Sequence, residues 1–145
     1  MNSDNSVVRM IGILSNQIKR QIDYSASKNG LTSVQGRILY FIFKNWQSKD
    51  IFQRDIENEF NLRRPTATGI LQLMEKNGMI RRDVVPYDAR LKKITLTEKA
   101  LNIQGLVSQC IEDLEERLTK DISEDELKVF FTVMNKISQN LDNTK

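Results

Sequence analysis

The sequence contains no histidine, one cysteine and two prolines among its 145 residues. Without histidine the chain has neither the commonest general base nor the commonest metal ligand. A lone cysteine cannot form a disulfide within the chain. These absences, together with the lack of a recognisable catalytic motif, disfavour an enzyme, and we expect no metal or other cofactor.

Long apolar runs are also missing. The longest, residues 38–43, is far shorter than the about 18 residues that a membrane-spanning helix requires. The polar start MNSDNS has no apolar stretch typical of a signal peptide. We therefore expect a cytoplasmic protein with no membrane segment, and the length fits one domain of about 150 residues.

Charge is distributed unevenly along a chain whose net charge is only +3. Residues 63–97 carry eight basic and three acidic side chains, a net charge of +5, whereas residues 98–145 carry six and ten, a net charge of −4. A basic segment inside a nearly neutral chain is the electrostatic signature of a phosphate-binding face.

Apolar residues recur at spacings of three and four through most of the chain, which predicts amphipathic helices. A turn at Asn61 and Leu62 separates two short helices that follow each other closely. Three pairs predict capping boxes at helix starts: Thr32 with Gln35, Asp50 with Gln53, and Ser123 with Glu126. The predicted helices cover residues from about 6 to 28, 32 to 44, 50 to 60, 64 to 77, 98 to 119 and 124 to 142.

The apolar period changes to two after Met79, which predicts a β-hairpin. Ile80, Arg82 and Val84 are expected on one face, with a turn at residues 86–89 and a return through Lys92, Ile94 and Leu96. The predicted fold is therefore mainly α with a small β-hairpin wing, a winged helix-turn-helix flanked by helices at both ends.

The second helix of the helix-turn-helix is the expected reading helix, since that helix enters the major groove in such folds. For this helix alone, the opposing interpretation is that its polar residues are merely solvated. The basic hairpin that follows favours DNA, because both parts are needed to span a groove and its phosphates. The residues predicted to contact DNA are Arg63, Arg64, Pro65, Thr66, Thr68, Gly69 and Gln72.

Residues 32–97 resemble the winged-helix core of the MarR family of bacterial transcriptional regulators. The motifs that carry the resemblance are Leu31-Thr32, the stretch from Leu62 to Thr68, the stretch from Leu73 to Ile80, the run Asp88-Ala89-Arg90-Leu91-Lys92 and the closing Ile94-Thr95-Leu96-Thr97. The chain departs from the family at Arg63, where Ser or Thr is usual, and at Gly69, where a basic residue is usual.

The resemblance implies a DNA-binding regulator, more often a repressor, that a small aromatic or phenolic effector releases from its operator. It also implies a wing that contacts DNA through Asp88, Arg90, Lys92 and Lys93. The narrow minor groove favours an inserted Arg90, and Asp88 is close enough to hold its guanidinium. The opposing interpretation is an ordinary exposed ion pair, worth ~0–1 kcal/mol.

Apolar stripes on the flanking helices exceed what one small winged domain can cover, so we expect a homodimer. Its two-fold axis would place the reading helices roughly 34 Å apart on a pseudopalindromic operator. The predicted dimerisation residues are Val7, Ile11, Leu14, Ile18, Phe130, Met134, Ile137 and Leu141.

One alternative function is a winged-helix module that binds an acidic protein partner through the basic face. Steep salt dependence together with a sequence preference would distinguish DNA binding from that function. Cys110 falls on the apolar stripe of the fifth helix and is expected to be a buried core residue rather than a redox sensor.

Overall fold

The computed structural model describes residues 5–142; residues 1–4, which belong to the polar start, and residues 143–145 lie outside that range. It confirms the predicted winged helix-turn-helix. The elements, in chain order, are α1 (Val7–Ala26), a 3-10 turn (Ser27–Asn29), α2 (Ser33–Asn45), α3 (Gln53–Phe60), α4 (Arg64–Lys76), β1 (Ile80–Val85), β2 (Asp88–Leu96), α5 (Glu98–Leu118) and α6 (Glu124–Asp142).

The chain divides into two compact units, the first ending at Ile111 and the second beginning at Glu112. The core of the first unit lies between α2, α3, α4 and the hairpin. Helix α1 packs against α2 at Gly36, where an added Cβ would lie at the ordinary contact distance of 3.5 Å from the Cβ of Ala26. The largest fully buried side chains are Ile38, Leu39, Ile42, Ile51, Ile56, Leu71, Met74, Ile80 and Ile94.

Local sequence signals account for several boundaries in this unit. The Oγ1 of Thr32 accepts from the N–H of Gln35, whose side chain accepts from the N–H of Thr32, so the predicted capping box is confirmed. Asn61 ends α3 with φ 49° and Gly78 follows α4 with φ 74°, both in the left-handed region. These residue types adopt that conformation at low cost.

The capping box predicted from Asp50 and Gln53 is wrong. The N-cap of α3 is Phe52, and the Asp55 carboxylate accepts from the Phe52 N–H at 2.9 Å. The carbonyl of Ile51 accepts from the N–H of Ile94 on β2 at 2.7 Å, and the Ile51 side chain is buried. This contact with the hairpin holds the chain out of the helix until Gln53.

The hairpin also differs from the expected alternation. The register is irregular between Val84 and Val85, which places Val85 in the core and leaves Val84 59% exposed. Such an irregularity turns one residue to the other face of a strand. Because Val85 pairs with Asp88, the turn consists of Pro86 and Tyr87 only, and Asp88 already belongs to β2.

On α5, within the first unit, Cys110 is half-buried rather than buried. In the second unit, α6 begins with the predicted capping box, in which Ser123 and Glu126 exchange hydrogen bonds of 3.1 Å each. No residue of α6 is buried. None of the helices within residues 5–142 combines the length and the hydropathy of a membrane-spanning segment.

Candidate nucleic-acid interface

The first turns of α4 present polar side chains to solvent. Arg63 is the N-cap in an extended conformation, and a proline lies in the first turn, where a missing N–H costs nothing. Ala67 is fully buried and fixes the opposite face of the helix against the core. Of the predicted DNA contacts, Thr68 is half-buried, and those exposed are Arg63, Arg64, Pro65, Thr66, Gly69 and Gln72.

Thr68 lies against α3 because a glutamine anchors it there. The Nε2 of Gln53 donates to Thr68 Oγ1 at 2.8 Å, to the Glu57 carboxylate at 3.2 Å and to the Arg64 carbonyl at 3.4 Å. Gln53 therefore fixes the first turns of the reading helix to the preceding helix. The sequence predicts only a capping role for Gln53, since a contact with Thr68, 15 residues away, has no local signal.

On the wing, Arg90 and Asp88 form the predicted contact. The Nε and Nη2 of Arg90 lie 3.2 Å from the two carboxylate oxygens of Asp88, and the Arg90 backbone N–H donates to the same carboxylate at 2.9 Å. The Arg90 side-chain and backbone donors hold the pKa of the Asp88 carboxyl below its ordinary value. The Arg90 side chain is 90% exposed, so its guanidinium stays accessible while it contacts Asp88.

The two predicted lysines of the wing differ in their surroundings. Lys93 Nζ lies 3.4 Å from Asp50 Oδ1, and the hydroxyl of Tyr87 donates to the other oxygen of Asp50 at 3.4 Å. Desolvation and the nearby Asp50 carboxylate raise the pKa of Tyr87. Lys93 thus ties the wing to the loop before α3, whereas Lys92 is exposed.

Arg82 on β1 is a further cation of this surface, for which strand alternation predicts only a position on one face of the hairpin. Its Nη2 donates to the Glu75 carboxylate at 3.0 Å, which lowers the pKa of Glu75. Its Nε is buried and has no hydrogen-bond partner within the described residues. Arg82 therefore links the end of α4 to the wing and retains one unsatisfied donor.

A cavity of about 400 Å³ lies between α3, the start of α4 and the wing. It brings Arg64 and Thr68 of the reading helix together with Arg90 and Lys92 of the wing. Phe52, Leu91 and Ile94 contribute apolar walls, and Glu57 is the one acidic side chain. Five basic side chains line it in all: Arg54, Arg64, Arg82, Arg90 and Lys92.

The predicted dimerisation residues lie outside this cavity. In the first unit, Val7 and Leu14 of α1 are exposed, and Ile11 and Ile18 are half-buried. In the second unit, the four predicted residues of α6 divide in the same way: Phe130 and Leu141 are exposed, and Met134 and Ile137 are half-buried. No group of three potential metal-ligating side chains among residues 5–142 is placed to hold a metal ion.

Known proteins with a similar sequence and fold share this winged helix-turn-helix architecture. Residues 29–91 match the model of the MarR family. The transcription regulator MarR from Oenococcus oeni PSU-1 is 28% identical, with a TM-score of 0.86 over 92% of this chain and 99% of that chain. The S. aureus MepR–DNA complex is 21% identical, with a TM-score of 0.87 over 97% and 99% of the two chains.

A MarR protein from Peptoclostridium difficile DA00132 is 22% identical, with a TM-score of 0.80 over 99% of this chain and 92% of that chain. The fold and its basic face define a winged helix-turn-helix protein. The match over residues 29–91 and the similarity to the Oenococcus oeni regulator both indicate the MarR family of transcriptional regulators.

Proposed function

We propose that this protein is a homodimeric transcriptional regulator that binds double-stranded DNA with α4 in the major groove and the wing in the adjacent minor groove. The observation that carries the proposal is the convergence of basic side chains from α3, α4 and both wing strands on one cavity. The similar S. aureus MepR structure is a DNA complex, which supports the same use of the fold.

The geometry suits both grooves. A major groove about 12 Å wide admits a helix, and the exposed Arg63, Arg64 and Thr66 lie at the end of α4 that would enter first. The minor groove concentrates negative potential, which attracts an arginine. Asp88 holds the Arg90 guanidinium in one orientation before DNA arrives, so less side-chain entropy is lost on binding.

The finer parts of the proposal concern assembly and regulation. The stripes that contain Leu14 and Ile137 would pack across a two-fold axis and generate a pseudopalindromic operator. On the family resemblance, the protein would act as a repressor in the cytoplasm, where the chromosome lies. A small aromatic or phenolic effector would release it from the operator.

Selection of bound sequences from a random DNA pool tests the DNA-binding function. We expect a pseudopalindrome with half-sites one helical turn apart, roughly 34 Å, and an affinity that falls steeply with salt. Binding without sequence preference, or preference for an acidic protein over any DNA, would refute the proposal. Loss of operator binding on addition of aromatic acids and phenols then tests the effector.

Arg90→Ala tests the wing and should weaken operator binding by ~1–3 kcal/mol while leaving the melting temperature unchanged. Arg90→Lys should restore only part of the affinity, because lysine lacks the planar fork. Equilibrium affinity measured at fixed salt checks both variants. Full affinity in Arg90→Ala would remove Arg90 from the interface.

Asp88→Ala should also weaken operator binding, although it removes a negative charge, because the Arg90 guanidinium loses its partner. Asp83→Ala is the matched control, since it removes an exposed carboxylate from β1. We expect Asp83→Ala to bind as well as the wild type or more tightly. If Asp88→Ala behaves in the same way, Asp88 is a solvated residue with no part in DNA binding.

A further inference from the structure

The cavity between α3, α4 and the wing contains more positive charge than the protein neutralises. Arg54, Arg64 and Lys92 line it, and within residues 5–142 none of their charged groups forms an ion pair. The one carboxylate in the lining, that of Glu57, accepts a hydrogen bond from Gln53. Three basic groups without an ion pair therefore share a partly enclosed space with a single carboxylate, so the lining keeps an excess of positive charge.

Arg82 adds a second, independent observation. Its Nη2 is bound to Glu75, but its Nε is buried and finds no acceptor among the described residues. A buried donor without an acceptor is costly, and a ligand that supplies an acceptor oxygen would remove that cost. Because Arg82 also lines the cavity, the ligand that suits this site offers acceptor oxygens as well as negative charge.

We propose that this cavity is a phosphate-binding pocket formed by Arg54, Arg64, Arg82 and Lys92. The inference rests on the proposed function for the expected source of that phosphate, which is the backbone of bound DNA. A phosphate offers several acceptor oxygens to arginine forks, and charge-assisted hydrogen bonds of this kind are the strong ones. Arg54 and Arg82 thereby become DNA-binding residues in addition to those predicted from the sequence.

A phosphate titration tests the pocket without DNA. The full-length protein is titrated with inorganic phosphate against chloride at constant ionic strength, and the arginine Nε–H resonances are followed by NMR. The Arg82 resonance should shift and saturate. Arg54→Gln, an exposed position on α3, should weaken this binding roughly tenfold without changing the melting temperature.

The matched control is Arg81→Gln. Arg81 is exposed on β1 next to Arg82 and is not part of the cavity lining, so the variant loses the same charge elsewhere. Phosphate binding should be unchanged in Arg81→Gln. A linear, non-saturating response in the wild type, or equal weakening in Arg54→Gln and Arg81→Gln, would overturn the pocket.

Salt dependence of DNA binding tests the source of the phosphate. Losing one DNA phosphate contact lowers the slope of log affinity against log salt by about 0.9. Arg54→Gln should show this reduction on operator and random DNA alike, whereas Arg81→Gln should keep the wild-type slope. Saturable phosphate binding with equal slopes in the two variants would overturn DNA as the source and leave a free phosphate compound as the ligand.

The failure of this inference is distinguishable from failure of the proposed function. If the wild type selects an operator but Arg54→Gln matches Arg81→Gln in both assays, the pocket is refuted and the regulator stands. If no DNA is selected but phosphate saturates the wild type and binds roughly tenfold more weakly to Arg54→Gln than to Arg81→Gln, the pocket stands and the proposed DNA binding is refuted.

Discussion

The helix-turn-helix core and helix α6 have similar apolar periodicity but opposite surroundings. In α2, Ile38, Leu39 and Ile42 are completely buried within the first unit. In α6 no residue is buried, and Phe130 and Leu141 remain 48% and 71% exposed. An apolar stripe therefore indicates that a face is to be covered without indicating which molecule covers it.

Helix α1 contains both situations. Near its end, Ile22 and Ala26 are buried in the first unit, where Gly36 of α2 approaches them. Near its start, Val8 is 84% exposed and Leu14 is 44% exposed. The first unit thus buries the apolar residues at the end of α1. The apolar residues at the start of α1 stay exposed, and a second copy of the chain could cover them.

The largest expected effect of a single substitution lies in the core. Leu39→Ala should lower the free energy of unfolding by ~2–5 kcal/mol, because it leaves a cavity in a fully packed interior. Denaturant unfolding at fixed protein concentration measures the loss. The control Asn16→Ala, at an exposed polar position of α1, should change the stability by less than about 0.5 kcal/mol. Equal losses in the two variants would contradict the contrast between core and flank.

Charges placed on the flanking stripes should separate assembly from folding. We expect Leu14→Asp and Ile137→Asp each to abolish the dimer and operator binding, because a buried unpaired carboxylate at an interface is strongly unfavourable. Sedimentation at micromolar concentration and operator affinity measure the two losses. Ser15→Asp adds the same charge at an exposed polar position next to Leu14 and should retain both properties. A persistent dimer in the stripe variants would exclude these faces from the interface.

Short-range signals were enough to predict much of this architecture. The Thr32 and Ser123 capping boxes and the turn at Asn61 depend on residues within one helical turn, and the structure has all of them. The Asp50 capping box was wrong because the start of α3 depends on the distant Ile51–Ile94 hydrogen bond. A local sequence pattern contains no information about this long-range hydrogen bond, which competes with the local capping box.

The candidate site was predictable only in part for the same reason. The basic run and the reading helix can be located from the order of residues, and the Asp88–Arg90 contact spans two positions. The roles of Gln53, Arg54 and Arg82 depend on three elements that meet at one cavity. The spacing of these three residues in the sequence follows no helix or strand period, so their proximity becomes visible only in the folded structure.

The two capping boxes offer the finest comparison between the units. Thr32→Ala in the first unit should lower the free energy of unfolding by ~1 kcal/mol at any pH, since its partner Gln35 does not titrate.

In the second unit, Ser123 pairs with Glu126, which does titrate. Hydrogen bonds from the backbone and the hydroxyl of Ser123 hold the pKa of the Glu126 carboxyl below its ordinary value of 4.5. A lowered pKa means that this contribution is complete above about pH 4.5 and is lost as the pH falls through the folded-state value. The start of α2 cannot serve as the reference, because the Asp23 carboxylate accepts from the Ser33 N–H there at 2.7 Å. Amide hydrogen exchange at the start of α6 should therefore accelerate on acidification more in the wild type than in Glu126→Gln, after correction for intrinsic exchange. Equal acid sensitivity of this helix start in the two proteins would show that Glu126 does not stabilise its helix through the capping carboxylate.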